Sequence, residues 1–293
     1  MKNVRSIIII GANGRLGAAL TRQYQRAFSV KAFARSQLDL GKLDQIRSTL
    51  SETEFDLLVN CAALTNVDYC ESHRDEAFLI NAQAARLLAE ICSAKSARMI
   101  DISTDYVFDG KQNTSYIEED PPAPLSVYAE SKLAGEEEVL RVSQNNLVVR
   151  LSWVFGPDKP SFIDQIIQRA RENDVVTAVA DKFSAPTYTI DVANWLRLAI
   201  DKNANGILHL ANNGTCSWQE WAQYAVDVCR ELGIPLKAER VGAVSLAQMK
   251  NFVARRPVYT ILSTAKFTAL TGVKPRHWRE AVAEYISAHV SKK

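Results

Sequence analysis

Tyr128 and Lys132 stand four residues apart in Tyr128-Ala129-Glu130-Ser131-Lys132. On a helix, that spacing puts both side chains on one face, one turn apart. A lysine ammonium beside a phenol favours the phenolate and lowers a pKa that is ordinarily about 10. Such a pair gives and takes a proton near neutral pH, as reduction of a carbonyl by hydride transfer requires. The same spacing occurs on many solvated helix faces, so its meaning depends on the elements that would hold it.

Ser6-Ile7-Ile8-Ile9-Ile10 predicts a strand buried on both faces of a parallel sheet. Gly11-Ala12-Asn13-Gly14-Arg15-Leu16-Gly17 follows at once, and residues 18–26 have helical character. A glycine-rich turn between strand and helix lets backbone N–H groups approach a pyrophosphate, whose charge the helix N-terminus favours. A tight strand–helix turn without ligand is the plain alternative. A second strand, Val30-Lys31-Ala32-Phe33, runs into Ala34-Arg35-Ser36. An acidic residue near this point bonds a ribose 2′-OH, whereas an arginine pairs with a 2′-phosphate. Arg35 therefore favours NADPH, with NADH as the alternative, unless it is only a solvated loop residue. Asp39, between Leu38 and Leu40, is expected to reach an adenine or to cap a helix running through Leu50.

Phe55-Asp56-Leu57-Leu58-Val59-Asn60 reads as the third strand, leading into Cys61-Ala62-Ala63-Leu64-Thr65, whose small residues let the chain pass close to a ligand. One long helix is expected over residues 71–94, with Ala77, Ile80, Ala84, Leu87, Leu88 and Ile91 as its core stripe. The fourth strand, Met99-Ile100-Asp101-Ile102-Ser103, meets Thr104-Asp105. Strands alternating with helices predict an α/β fold with a doubly wound parallel sheet and right-handed crossovers. Ligands of such sheets bind at the carboxyl ends of the strands, where the glycine turn, Ala62–Thr65 and Thr104-Asp105 all fall. Residues 111–125, rich in proline and polar groups, deliver the chain to the Tyr128 helix, either as a linker only or as a rim over the site.

The formal net charge of +2, from 35 basic and 33 acidic residues without long runs, gives no electrostatic case for nucleic acid or an anionic membrane. Five scattered cysteines form no zinc-site spacing and read as reduced thiols of a cytoplasmic protein. No apolar run is long enough for a signal-peptide core or a membrane span.

The chain resembles the extended short-chain dehydrogenase/reductase superfamily and, within it, the dTDP-4-dehydrorhamnose reductase family. The residues carrying the resemblance are Gly11 to Gly17, Val59-Asn60-Cys61-Ala62-Ala63 with Thr65, Val67 and Asp68, and Ser103-Thr104-Asp105-Tyr106-Val107-Phe108-Asp109-Gly110. To these are added Tyr128 to Glu136, Val149 to Gly156 with its Ser152-Trp153, Pro186-Thr187 and Ala254-Arg255-Arg256-Pro257. They run in family order across nearly the whole chain. The resemblance implies reduction of a sugar C4 ketone on a nucleoside-diphosphate carrier by a nicotinamide hydride. It implies Tyr128 as proton donor, Lys132 as the group that lowers its pKa and holds the nicotinamide ribose, and Thr104 on the reacting oxygen. The cofactor wall is then Gly11, Asn13, Gly14, Arg15, Leu16, Gly17, Arg35, Asp39, Leu40, Cys61, Ala62, Ala63 and Thr65, with Tyr128 and Lys132. Val67, Thr104, Asp105, Tyr106 and Trp153 would meet the substrate, and Arg255 and Arg256 would either clamp its diphosphate or lie in a solvated basic loop.

The chain departs from the family pattern in several positions. Ala129 follows the tyrosine where glycine is frequent, and Arg15 stands where glutamine is frequent. Lys182-Phe183-Ser184-Ala185 replaces a more usual Gln-x-Gly-Ser, which bears on the substrate rim. Some relatives bind magnesium through an acidic residue at the Arg15 position, so no metal is expected here. Beyond Trp153 the regular alternation fades into a smaller, discontinuous substrate-binding part. Residues 162–171 and 217–232 should be helical, the latter with Ser217 and Glu220 as a capping box. The expected division is a cofactor-binding domain over 1–152, which also receives part of 180–215, and a substrate domain over most of 153–293. The chain would act as a monomer or homodimer. Two other readings stand beside this one: another nucleotide-sugar reductase or epimerase of the superfamily, or a non-catalytic regulatory protein resembling the β subunit of methionine adenosyltransferase.

Overall fold

The computed structural model describes residues 4–291. Its strands are β1 (Ser6–Ile10), β2 (Ser29–Phe33), β3 (Leu57–Asn60), β4 (Arg98–Thr104), β5 (Leu147–Leu151), β6 (Val154–Phe155), β7 (Val176–Val179), β8 (Phe183–Ser184), β9 (Thr187–Tyr188), β10 (Gly206–His209), β11 (Cys216–Ser217) and β12 (Val241–Val244). Its helices are α1 (Arg15–Tyr24), α2 (Leu43–Ser51), α3 (Val67–Ser72), α4 (Arg74–Phe78), α5 (Ala84–Ala94), α6 (Val127–Val142), α7 (Phe162–Glu172), α8 (Thr189–Asp201), α9 (Trp218–Glu231), α10 (Ala265–Thr271) and α11 (Trp278–His289).

Six strands form one sheet in the order β10-β5-β4-β3-β1-β2, every pair parallel. The alternation of side chains along a strand splits the apolar residues between two layers. Ile7, Ile9, Leu57, Val59 and Val149 pack with Leu20 of α1, Leu196 of α8 and Phe267 of α10. Ile8, Ile10, Leu58, Met99 and Val148 pack with Ile46 of α2, Leu88 of α5 and Val139 of α6. Helices thus cover both faces, which is why these strands read as unbroken apolar runs. Strand order reverses beside β1, with β2 on one side and β3 on the other, and this switch point opens a crevice at the carboxyl ends.

A separate apolar cluster joins Ile163 and Ile167 of α7, Trp221 and Ala225 of α9, and Trp278, Val282 and Ile286 of α11. Ser217 and Glu220 form the expected capping box on α9. The chain leaves the sheet after β5 and returns with α8 and β10, which pairs with β5.

Three expectations change. The helix expected over 71–94 is broken: His73 has φ −131° and ψ 51°, and a π-helical turn over Leu79–Gln83 separates α4 from α5. Asn81 accounts for that turn. Its Oδ1 accepts from Leu64 N at 2.8 Å, and its Nδ2 donates to Leu64 O at 3.1 Å and Ser131 Oγ at 2.9 Å. A β-carbon on Gly135 would lie 2.2 Å from Asn81 O, so glycine lets α6 close onto the turn. Second, Asp39 does not cap α2. Its Oδ1 accepts from Gly41 N at 3.0 Å, a local turn, and α2 starts after Lys42. Third, residues 111–125 do not rim the crevice. Tyr116 N donates to Ile261 O, Ser263 N donates back to Tyr116 O, and His209 N donates to Glu118, tying the segment down elsewhere.

Candidate active site

The glycine turn is shaped by close backbone approach. Gly11 has φ +81°, and a β-carbon there would meet Ala62 N at 2.9 Å. On Gly17 a β-carbon would meet Gly11 O at 2.2 Å, and Gly14 N donates to that same oxygen at 2.8 Å. Helix α1 begins on Gly14, which has no side chain to cap it, and its first turn holds no acidic residue. The N–H groups at a helix start lack partners within the helix and carry partial positive charge. This turn therefore fits a pyrophosphate.

A cleft of about 690 Å³ runs from this turn across the strand ends to α6. Its walls include Gly11, Asn13, Gly14, Arg15, Leu16, Arg35, Asp39, Leu40, Cys61, Ala62, Ala63 and Thr65 at one end. At the other are Val67, Thr104, Asp105, Tyr106, Tyr128, Lys132 and Trp153. The volume is that of a site for a sizeable ligand. Arg35 is largely exposed at the end of β2, with Nε 3.6 Å from Asp39 Oδ2, free to turn onto a phosphate. Burial pushes the Cys61 thiol up, which leaves it an inert wall. The Arg15 guanidinium is held by the loop before α7: its Nε donates to Lys159 O at 3.1 Å and its Nη2 to Pro160 O at 2.5 Å.

Tyr128 and Lys132 do share a face of α6, whose start is capped by Ser126 Oγ accepting from Ala129 N at 3.3 Å. Their electrostatics differ from the expected pair. Lys132 is almost fully buried, and its Nζ donates to Asp101 Oδ2 at 3.3 Å. Asn60 Nδ2 donates to the other oxygen of Asp101 at 2.7 Å, while Asn60 Oδ1 accepts from Ala62 N at 3.1 Å. Burial pushes the Tyr128 phenol well above its usual value, opposed by the Thr104 hydroxyl. Lysine does not lower it here, because desolvation of a phenolate dominates and the nearby ammonium is matched by a buried carboxylate. Asp101 was missed, although a single carboxylate within the apolar run of β4 is the signal that reveals it.

Thr104 Oγ accepts from Tyr106 N at 3.2 Å and lies 3.3 Å from Asp105 Oδ1. Asp105 is buried, and its Oδ2 accepts from Thr260 Oγ1 at 2.5 Å and Ser184 Oγ at 3.3 Å. Burial raises its carboxyl above the usual range. Trp153 has φ +39°, a left-handed conformation rare for a bulky residue and costing roughly 1–3 kcal/mol. Its ring stacks on Trp221 at 5.8 Å, and its buried Nε1 has no acceptor among the described residues.

Three expected site residues lie off the cleft. Gly17 stands behind the turn, and Arg255 is an exposed loop residue. Arg256 forms a two-pronged pair with Asp68, Nη1 to Oδ1 at 3.0 Å and Nη2 to Oδ2 at 2.5 Å, over the Phe252 ring. Arg256 holds the Asp68 carboxyl down at about 2. A partner that good leaves Arg256 no free fork for a diphosphate. Lys159, Leu38, Leu64, Ile80 and Val154 also line the cleft, and nothing local in the sequence marks them.

Comparison with known proteins agrees with this architecture over the full length. The profile of the RmlD substrate binding domain matches residues 5–291. The chain is 33% identical to the spore coat polysaccharide biosynthesis protein SpsK of Bacillus subtilis, covering 97% of this chain and 98% of that one. It is 37% identical to the dTDP-4-dehydrorhamnose reductase of Mycobacterium tuberculosis, over 96% of this chain and 92% of that one. The crystal structure of the Bacillus anthracis dTDP-4-dehydrorhamnose reductase in complex with NADP shares the fold with TM-score 0.91 at 31% identity, covering 98% of this chain and 100% of that one. A strand-end cleft with Thr104, Tyr128 and Lys132 in a chain so matched has one family reading: it belongs to the RmlD substrate binding domain family, that of the dTDP-4-dehydrorhamnose reductases.

Proposed function

We infer that the protein is an oxidoreductase that reduces the C4 ketone of dTDP-4-dehydro-L-rhamnose to dTDP-L-rhamnose, with NADPH as hydride source and NADH as the alternative. The observation that carries this reading is the single cleft in which the glycine turn and the Thr104–Tyr128–Lys132 group meet, in a chain matched end to end by dTDP-4-dehydrorhamnose reductases. The uncapped start of α1 suits the pyrophosphate, and Arg35 suits a 2′-phosphate. When bound, the reduced nicotinamide supplies a hydride to the carbonyl carbon. Thr104 Oγ holds the reacting oxygen, and Tyr128 Oη gives the proton that turns the developing alkoxide into a hydroxyl. Burial keeps Tyr128 protonated at neutral pH, so it enters the reaction as an acid. Lys132, anchored by Asp101, supports the phenolate left behind and holds the ribose. Asp105 accepts from a sugar hydroxyl, Val67 and Tyr106 border it, and Trp153 lies along the ring.

Residues 1–152 with parts of 180–215 serve the cofactor, which the pairing of β10 with β5 supports. Most of 153–293 serves the substrate, which the separate cluster of α7, α9 and α11 supports. All five cysteines are free, and among the described residues no helix is long and apolar enough to cross a membrane. The cytoplasm is the compartment assigned on those grounds. The test is NADPH oxidation with enzymatically generated dTDP-4-dehydrorhamnose, the GDP-linked 4-keto sugar serving as control. One NADP+ released per sugar reduced, on the dTDP substrate alone, is the expected result. Cofactor binding without turnover on either sugar would overturn it, and turnover without net NADP+ release would point to an epimerase.

A further inference from the structure

Lys182 is wholly buried, an unusual state for a lysine, and its surroundings are specific. Its Nζ donates to Pro257 O at 2.5 Å, the one oxygen it reaches among the described residues. Around the rest of the ammonium stand three rings: Tyr106 with its centroid at 4.7 Å, Trp218 at 5.9 Å and Trp153 at 6.0 Å. Two of those rings, Tyr106 and Trp153, are walls of the cleft, and Asp105 between Thr104 and Tyr106 is a third. The charged and titratable groups facing Lys182 are Asp105, Tyr106 and Arg256; the elements bearing Trp153, Trp218 and Pro257 bring rings and a carbonyl.

A buried ammonium ringed by aromatic faces is held by cation–π attraction and by opposite charge. Asp105, next to Tyr106, supplies the opposite charge through space: its carboxylate oxygens lie more than 4 Å from the Lys182 ammonium, which has the Tyr106 ring at 4.7 Å. Its oxygens already accept from the hydroxyls of Thr104, Ser184 and Thr260. We propose that Lys182 is a positioning residue of the substrate end: it is the counter-ion that keeps Asp105 a carboxylate and the clamp that fixes the Tyr106 and Trp153 rings, and it thereby sets the affinity for the sugar. The inference rests on the reduction assigned above and goes beyond it, since Lys182 itself is not a wall of the cleft and acts through residues that are.

The physical direction is consistent. Burial raises the Asp105 carboxyl and Lys182 opposes that rise, while burial brings Lys182 down to about 8 against the pull of Asp105. Removing the ammonium lets Asp105 take up a proton at higher pH, and a neutral carboxyl is a poorer acceptor for a sugar hydroxyl.

The experiment has two arms. In the first, lysine is labelled at Cε, and the Lys182 resonance is assigned by its loss in Lys182→Arg and followed by NMR against pH in the wild type and in Asp105→Asn. The expected midpoint is about 8 in the wild type, moving down in Asp105→Asn. An unmoved midpoint overturns the pairing, whether or not the enzyme turns over. In the second arm, KM for the dTDP sugar, kcat and the NADPH dissociation constant are measured for Lys182→Met and Lys182→Arg. Lys182→Met should raise KM about tenfold or more, the equivalent of one lost charge contact of about 1.4 kcal/mol. Its kcat and NADPH affinity should stay close to wild type, and its acid limb in kcat/KM should move to higher pH. Lys182→Arg, which keeps the charge, should recover part of the loss. An unchanged KM, or a fall in kcat at constant KM, overturns the proposal. Should Lys182→Met not fold, the NMR arm and Lys182→Arg still decide it. A wild type that binds NADPH without reducing the sugar would defeat the functional reading alone.

Discussion

The two ends of the cleft are built by different means. At the cofactor end, contact surface comes from the backbone: Gly11, Gly14 and Gly17 remove side chains, and the first turn of α1 presents its amides uncapped. At the substrate end, the walls are held by buried polar side chains drawn from distant parts of the chain. Asp105 meets Ser184 and Thr260, and Lys182 meets Pro257 beside the Tyr106 and Trp153 rings. Backbone geometry tolerates no added atom but carries little charge, so the first end is fragile to sterics. Buried charge tolerates small changes of shape but not the loss of a partner, so the second end is fragile to electrostatics. The catalytic group sits between them, with Lys132 tied through Asp101 and Asn60 to the Ala62 amide of the cofactor wall.

Substitutions can separate these two kinds of fragility. The largest effect belongs to the shared centre: Tyr128→Phe should lower kcat by about 10²–10⁴-fold, the range for losing a general acid. Its NADPH affinity should stay near wild type by fluorescence titration, whereas near-normal turnover would remove Tyr128 from the role. Gly17→Ala adds one atom 2.2 Å from Gly11 O. Strain of roughly 1–3 kcal/mol should weaken NADPH binding by about 10–100-fold, with little change in the KM for sugar under saturating cofactor. Equal losses at both ends would erase the proposed contrast. Arg35→Asp should cost NADPH about tenfold in affinity and leave NADH nearly untouched. An unchanged NADPH:NADH ratio in isothermal titration would detach Arg35 from the 2′-phosphate.

A further effect lies between α6 and strands β4, β5 and β10, where buried polar groups again depend on charge. Ser103 Oγ donates to Glu136, which holds Arg150, whose Nη1 lies 3.5 Å from His209 Nε2. Burial, with Arg150 adding to it, holds His209 at about 3. An unfolded histidine titrates near 6.5, so the unfolded chain binds a proton that the folded chain refuses between those values. This contribution is fully present above about pH 6.5 and is lost as pH falls towards 3, by at most about 1.4 kcal/mol per pH unit. In urea unfolding, His209→Gln should flatten the decline below pH 6.5. A decline as steep as in the wild type would assign it to other groups.

The contrast also explains which parts of the molecule are legible in the sequence. The strands are unbroken apolar runs, and the glycine turn and the Tyr128–Lys132 face are patterns of spacing three and four; each lands where the pattern implies. The broken helix over 71–94 is not legible, because Asn81 reaches the Leu64 backbone seventeen residues back and no periodicity encodes that. Arg256 shows the same limit. Its fork is legible as a binder of planar anions, but the carboxylate that claims it, Asp68, lies 188 residues away. The height of the Tyr128 pKa is not legible either, because a neighbouring ammonium can be read from spacing, whereas burial and the matching charge of Asp101 cannot.

The most direct test of the central claim follows the hydride itself. The wild-type enzyme is given dTDP-4-dehydrorhamnose and NADPH carrying deuterium at the nicotinamide C4, in each of its two stereochemical forms, and the product is read by NMR. Deuterium should appear at C4 of the sugar from one form only, with a proton from solvent on the neighbouring oxygen. Product without deuterium from either form, or deuterium at another carbon, would contradict the account.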